Sequence, residues 1–78
     1  MSVKTAPSEF MTQRSTEGFE PGQVWRTKAG ELWCVTEVNE SSHKVSFLIL
    51  DSRQQSVIGK HSWCYPTRRS IQLWQRVS

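Results

Sequence analysis

Residues 31–50 read ELWCVTEVNESSHKVSFLIL, and the patterning of this stretch decides the fold. Two runs rich in β-branched and aromatic residues, 31–39 and 44–50, are separated by a short polar turn, which is the pattern of a β-hairpin. The second run, KVSFLIL, is apolar on both faces, and that feature is typical of a central strand. The stretch therefore predicts a β-hairpin whose second strand lies in the interior of a β-sheet.

Similar runs on either side of this hairpin extend the predicted sheet. The five predicted strands are 23–27, 31–39, 44–50, 56–65 and 71–77. Gly59 interrupts the fourth strand, where we expect a bulge or a sharp bend, and residues 67–70 predict a turn before the fifth. Five short strands with short connections predict an all-β protein, and specifically a small five-stranded SH3-like barrel over residues 20–78.

The N-terminal segment, residues 1–19, lacks this patterning. It is rich in Ser, Thr, Glu and Gln, and its few apolar residues follow neither the period of a strand nor that of a helix. We therefore predict a disordered, flexible arm over these residues, followed by a domain that opens at the turn-forming Pro21-Gly22. The chain of 78 residues holds one domain at most, which excludes an enzyme with a separate cofactor domain.

Composition bounds the class of protein and its compartment. The chain is 36% hydrophobic and 22% charged, and it contains no apolar stretch long enough to span a membrane. An apolar signal segment is also lacking near the first residues, so we predict a cytoplasmic protein without a membrane partner. Cys34 and Cys64 could pair in an oxidising compartment, but in the cytoplasm we expect two reduced thiols in the core.

The charge is uneven along the chain. Residues 1–20 hold two basic and three acidic side chains, a net charge of −1, whereas residues 21–78 hold eight basic and four acidic side chains, a net charge of +4. The predicted barrel is therefore the basic part of the molecule. A surplus of this sign favours an anionic partner, either nucleic acid or an acidic protein surface.

Residue types used in catalysis or metal binding form no recognised motif. The chain has no nucleophile elbow, no glycine-rich phosphate loop and no zinc-protease helix motif. His61 and Cys64, together with Cys34 or His43, offer nitrogen and sulfur donors, but their spacing does not match that of a known zinc site. We therefore predict no catalytic residue, no metal and no cofactor, and a protein that is not an enzyme.

Four tryptophans in a chain of this length are the most unusual feature of the composition. All four fall in predicted strands, and Trp25, Trp33 and Trp74 are out of phase with the main apolar set of their strands. Such rings either lie on the outer face beside arginines, or contribute to packing on both sides of a small sheet with arginine stems over them. The candidate binding residues are Trp25, Trp63, Tyr65, Arg68, Arg69 and Trp74.

Aromatic rings interleaved with cations suit two kinds of ligand. Tryptophan and arginine dominate the hot spots of protein interfaces, whereas aromatic platforms beside cations also hold single-stranded nucleic acid. The leading hypothesis is a small non-catalytic binding module that docks on a protein partner with an acidic surface. A nucleic-acid-binding barrel and a homo-oligomer interface are the alternatives, and the size of the chain is typical of proteins encoded by phages or plasmids.

Residues 21–33, PGQVWRTKAGELW, resemble the opening strands of the plasmid-encoded type II dihydrofolate reductases. The matching positions are Gly22, Arg26, Lys28, Gly30, Trp33 and the pair Tyr65-Pro66. The resemblance implies an SH3-like barrel behind an N-terminal arm, and assembly into an oligomer. That family carries Val-Gln-Ile-Tyr on the strand before the proline, where residues 62–65 of this chain read Ser-Trp-Cys-Tyr. The family's NADPH-dependent reduction of dihydrofolate is therefore a third functional alternative, behind the two kinds of binding.

Overall fold

Five β-strands make up most of the regular structure in the computed structural model, which describes residues 13–78. The strands are β1 (Val24–Arg26), β2 (Leu32–Asn39), β3 (Lys44–Asp51), β4 (His61–Cys64) and β5 (Gln75–Arg76). One turn of 3-10 helix, Gln55–Val57, precedes β4, and a six-residue helix, α1 (Arg68–Leu73), precedes β5. The all-β class is thereby confirmed. Residues 1–12 of the predicted arm lie outside the described residues.

All five strands pair antiparallel in one sheet with the order β4-β3-β2-β1-β5. β2 and β3 form the longest pair, and both lie in the interior of the sheet. The patterning of residues 44–50 predicts this position for β3. β4 and β5 stand at the two ends of this order. Closure of the sheet into an SH3-like barrel stays a prediction.

A β-bulge in β2 decides which of its side chains face the core. The register against β3 shifts between Val35 and Glu37, so Thr36 is an extra residue on the β2 side. Trp33 and Val35 face the core before the bulge, and Val38 faces it afterwards. Strict alternation would have placed Val35 and Val38 on opposite faces.

The core lies against this sheet and is built largely from aromatic rings. Five rings, those of Phe19, Trp25, Trp33, Phe47 and Trp74, pack in one cluster with neighbouring centroids 4.8–6.1 Å apart. We call these five residues the core aromatic cluster. Large rings of this kind suit a chain too short to bury much of its surface with aliphatic side chains alone.

Residues 13–19 pack against the sheet, whereas the sequence placed them in the flexible arm. The backbone N–H of Ser15 donates to the carbonyl oxygen of Pro66 at 2.9 Å. Phe19, 4% exposed, belongs to the core aromatic cluster. Sequence reasoning missed these contacts because the segment has no period of its own, and its apolar ring is buried by residues distant in the chain.

The strand predicted over residues 56–65 is shorter than expected. Residues 55–57 form the 3-10 turn, and Gly59 follows in a turn with a positive φ of 84°. β4 therefore starts only at His61. The irregularity predicted at Gly59 is a bulge, because the N–H of Gly59 donates to the carbonyl oxygen of Ile49 in β3 and the N–H of Ile49 donates to the carbonyl oxygen of Lys60.

Helix α1 replaces the first half of the strand predicted over residues 71–77. Thr67 caps the helix, since its side chain accepts a hydrogen bond from the N–H of Ser70 and the Ser70 hydroxyl accepts one from the N–H of Thr67. Ile71 and Trp74, three residues apart, then pack against the core. The strand period assigned to this segment is therefore wrong, because its apolar spacing is that of a helical turn.

Candidate binding surface on strand β4

The structure places Trp25 in the core and not on a contact surface. Its side chain is 5% exposed and packs on Phe19 at a centroid distance of 4.8 Å. The indole N–H donates to Oε1 of Gln23 at 2.9 Å, so the polar atom is satisfied inside the protein. The expectation that Trp25 contacts a partner is corrected accordingly: the core face of β1 carries Trp25, and the half-buried Val24 lies on the other face.

Trp74, another predicted contact, is half-buried at the end of α1. Its ring centroid lies 5.5 Å from that of Trp33 and 5.5 Å from that of Phe47. Trp74 therefore contributes mainly to packing. Three of the four tryptophans thus lie in or against one core and not on an outer aromatic face.

Trp63 is the tryptophan that the fold leaves most open to solvent. It lies in the end strand β4 and is 56% exposed, while Tyr65, directly after β4, is 41% exposed. The two rings pack edge to face with centroids 5.3 Å apart and planes at 74°. Residues two apart on an extended chain project from the same face, which brings these rings together. We call Trp63 and Tyr65 the β4 aromatic pair.

A cation lies over each ring of the β4 aromatic pair. Nζ of Lys44 is 4.9 Å from the ring centroid of Trp63, and Cζ of Arg14 is 4.6 Å from that of Tyr65. Both distances are within the range of cation–π contacts, each of which contributes about 0.5–1 kcal/mol at an exposed site. Lys44, Trp63, Tyr65 and Arg14 form a continuous surface, which we call the cation–aromatic row.

Two separate elements bring these cations to the rings. Lys44 opens β3 and lies diagonally across from Trp63, whose direct partner on β3 is Ser46. Arg14 arrives through a short antiparallel bridge to the backbone of Thr67. Sequence reasoning found neither cation. If the register of β3 against β4 were known, it would place Lys44 near Trp63. No local sequence pattern predicts that Arg14 lies near the end of β4.

The two arginines that the sequence selected lie at the start of α1. Nη1 of Arg68 is 3.0 Å from Oε2 of Glu17, an ion pair that ties the segment before β1 to the helix. Arg69 is an exposed charge on α1. The cations over the rings are Lys44 and Arg14, neither of which was predicted, so Trp63 and Tyr65 are the members of the predicted Trp/Arg surface that the structure brings together here.

The two cysteines are free thiols. Cys64 packs against the core, and burial raises the pKa of its thiol to about 11, which keeps it protonated at neutral pH. Among residues 13–78, no group of three or more His, Cys, Asp or Glu side chains could hold a metal ion. The distinctive chemistry of this part of the chain therefore comes from rings and cations.

Two open clefts also lie on the surface of the described residues. The larger has a volume of about 560 Å³ and is bordered by Glu20, Glu37 and Glu40 together with apolar side chains. The smaller, of about 320 Å³, lies beside the ion pair of Arg68 and Glu17. The larger cleft therefore has the opposite charge to the cation–aromatic row.

No protein-family model, no curated protein and no solved structure matches this chain. In the described part of the chain, no helix has the length and apolar character needed to cross a membrane. Function is therefore inferred from the chemistry of the cation–aromatic row.

Proposed function

We propose that the protein is a small non-catalytic binding module that docks on an acidic protein surface through the cation–aromatic row. The observation that carries this proposal is the 56% exposure of Trp63 in a chain whose other tryptophans lie in or against the core. Large rings left together in water are typical of interaction sites. Tryptophan, tyrosine and arginine are also the residues most enriched in interface hot spots.

The charges beside the rings support an acidic partner. Lys44 and Arg14 lie 4.9 and 4.6 Å from the two ring centroids, and residues 21–78 carry a net charge of +4. A carboxylate that approaches the row meets a cation and an aromatic edge at the same place. Complementarity of this kind raises the association rate and disfavours basic partners.

A nucleic-acid ligand is the second candidate, favoured by the same arrangement of rings and cations. Bases bind such surfaces by stacking on ring faces while cations contact the phosphates. Here the two rings stand at 74° to each other, and each has a cation over one face. Successive bases therefore find no parallel platforms, and the protein partner is the better supported proposal.

The third alternative, reduction of dihydrofolate, depends on the resemblance of residues 21–33. Where that family carries its active-site Gln on the strand before the proline, this chain has the exposed Trp63. A spectrophotometric assay of NADPH-dependent dihydrofolate reduction with the purified chain tests this alternative. We expect no turnover, because the Gln that positions both substrates in that family is replaced.

We also propose a cytoplasmic location. Both cysteines are free, and the reducing cytoplasm keeps thiols in that state. Fractionation of cells that express the tagged chain measures this location, and recovery from a compartment outside the cytoplasm would contradict it.

Affinity capture with matched variants tests the binding proposal. The full chain, Trp63→Ala and Leu73→Ala are immobilised at equal density, and the proteins they retain from a lysate of the source organism are compared. Leu73 is the control because it is an apolar side chain of similar exposure, 50%, on a different element.

We expect a partner protein that the full chain and Leu73→Ala retain equally. Trp63→Ala should retain at least about tenfold less of it, since truncation of a hot-spot ring costs about 2 kcal/mol or more. Equal retention by all three proteins contradicts the proposal. Retention of nucleic acid in place of a protein, released by moderate salt, favours the second candidate.

A further inference from the structure

The outer edge of β4 runs beside the cation–aromatic row. β4 stands at one end of the sheet order, and among the described residues it pairs only with β3. A strand edge of this kind presents backbone N–H and C=O groups to which another extended chain can pair. The row and the edge therefore offer side-chain and backbone recognition at the same place.

The alternation of hydrogen bonds shows which residues of β4 face the open edge. The N–H of Ile49 donates to the carbonyl oxygen of Lys60 at 3.0 Å, and in an antiparallel pair such bonded positions recur at every second residue. Ser62 therefore bonds to β3, while His61 and Trp63 turn their N–H and C=O groups away from it. Within residues 13–78, neither His61 nor Trp63 has a backbone hydrogen bond on that outer side.

The side chains above this edge set the spacing of a matching ligand. Trp63 and Tyr65 are two residues apart, and each has one cation over its ring. Side chains on one face of an extended peptide also repeat every two residues, about 6.8 Å apart. Carboxylates at positions i and i+2 of such a peptide therefore match the two-residue spacing of the rings that Lys44 and Arg14 cover.

We infer that the partner binds as an extended acidic segment that adds to the open edge of β4 as a further antiparallel strand, with carboxylates at i and i+2 directed at Lys44 and Arg14. This inference rests on the proposed function and specifies how the partner is held. Hydrogen bonds to the backbone of His61 and Trp63 supply affinity, while the rings and cations select the side chains.

A second copy of this chain is a poorer occupant of the same edge. Pairing of β4 with β4 of another copy brings two cation–aromatic rows together, and each contributes Lys44 and Arg14. The two rows carry charge of the same sign, which opposes their approach. An acidic segment has the complementary sign.

NMR spectroscopy of the full-length, ¹⁵N-labelled chain with synthetic peptides tests the inference. The probe is the blocked peptide TVEVEVT. Its controls are TVKVKVT and a form of the probe that carries N-methyl groups on both Glu residues, which supply the N–H groups facing β4 in an antiparallel pair. At saturating probe we expect the amide exchange rate of Trp63 to fall about tenfold, while that of Ser62, already bonded to β3, stays unchanged.

Protection of the Trp63 amide by the acidic probe alone supports strand addition. Equal binding of the N-methylated probe overturns the inference, because docking then needs no backbone pairing. Protection that appears without peptide and grows with protein concentration also overturns it, and identifies a second copy as the occupant. Absence of binding by the acidic probe overturns it as well, while the capture experiment with Trp63→Ala decides the proposed function independently.

Discussion

The core aromatic cluster and the β4 aromatic pair contain similar side chains in different surroundings. In the core cluster, rings pack on rings at 4.8–6.1 Å, and Phe47 at its centre is fully buried. In the β4 pair, Trp63 and Tyr65 contact each other and one cation each, and they are 56% and 41% exposed. The first arrangement stabilises the fold, whereas the second leaves ring area for a partner.

Two of the core tryptophans have a hydrogen-bond acceptor for the indole N–H close by in the sequence. Trp25 donates to Gln23 and Trp33 donates to Glu31, in each case to a side chain two residues earlier. Residues two apart on an extended chain share a face. In a Gln-x-Trp or Glu-x-Trp sequence, the Gln or Glu side chain therefore lies on the core face beside the tryptophan and can accept from its indole N–H. Trp63 has a histidine at that distance. Trp25 and Trp33 therefore have an indole acceptor two residues earlier, whereas Trp74 packs against the core from the end of helix α1.

Truncation within the core cluster has the largest expected effect. Trp25→Ala removes a ring that is 5% exposed, and should lower the free energy of unfolding by about 3–5 kcal/mol because a cavity is left behind. Trp63→Ala should lower it by less than about 1 kcal/mol, as expected of a surface position. Urea denaturation followed by circular dichroism measures both. Equal losses in the two variants would remove the distinction between the cluster and the pair.

Removal of an internal acceptor has the next largest expected effect. Gln23→Ala keeps the Trp25 ring but removes the oxygen that accepts from its indole N–H and from the backbone N–H of Glu20. We expect a loss of about 1–3 kcal/mol, since a buried donor without a partner has a cost of that size. Gln54→Ala, at an exposed position, is the control in the same denaturation experiment. A Gln23→Ala variant as stable as its control would show that the acceptor is unimportant.

A smaller effect is expected for the surface contacts. Lys44 and Trp63 should show a coupling energy of about 0.5–1 kcal/mol in a double-mutant cycle of Lys44→Met and Trp63→Ala. Methionine keeps most of the aliphatic stem and removes the charge, so the cycle measures the cation. A coupling energy near zero would mean that the contact contributes nothing to stability. Arg14→Met with Tyr65→Leu provides an independent second cycle.

The next prediction concerns the reactivity of Cys64, for which we expect the smallest effect on stability at neutral pH. Because burial raises the pKa of its thiol to about 11, alkylation by iodoacetamide should be slow near about pH 8 and should accelerate as the pH approaches that pKa. Mass spectrometry of the Cys34→Ser variant measures this rate for Cys64 alone. A rate in the folded protein equal to that in the urea-unfolded chain would contradict the burial.

The same pKa predicts how stability depends on pH. The thiol has a reference pKa of 9.0, so above that pH the unfolded chain releases a proton that the folded chain still holds. Fewer bound protons in the unfolded state mean that stability falls as the pH rises from about 9 towards about 11. Cys64→Ala should flatten this fall when the urea midpoint is followed over the same range.

The local part of the fold could be predicted from the sequence, and the non-local part could not. The β2–β3 hairpin follows from the patterning of residues 31–50. The bulge at Thr36 leaves no mark in composition, so Trp33 was taken as out of phase with the apolar set of β2, although it and Val38 both face the core. Helix α1 did have a local signal, the capping residues Thr67 and Ser70, but the apolar residues after them also fitted a strand.

The candidate site also has a local part that the sequence predicts and a non-local part that it does not. Trp63 and Tyr65 are two residues apart in the strand predicted over residues 56–65, so the sequence alone places both on one face. Lys44 and Arg14 come from distant parts of the chain, and their approach depends on strand register and on a backbone bridge to Thr67. Trp25 was selected because it is out of phase with the main apolar set of its predicted strand, but its 5% exposure places it in the core.

Quenching of tryptophan fluorescence by acrylamide tests most directly the claim that Trp63 is the tryptophan available to a partner. The full-length chain is compared with Trp63→Phe, which keeps an aromatic ring at that position. We predict a readily quenched component in the natural chain that disappears in Trp63→Phe, leaving emission that is quenched weakly because the remaining indoles are packed in or against the core. Survival of the readily quenched component in Trp63→Phe would contradict the account, because another tryptophan would then form the accessible surface.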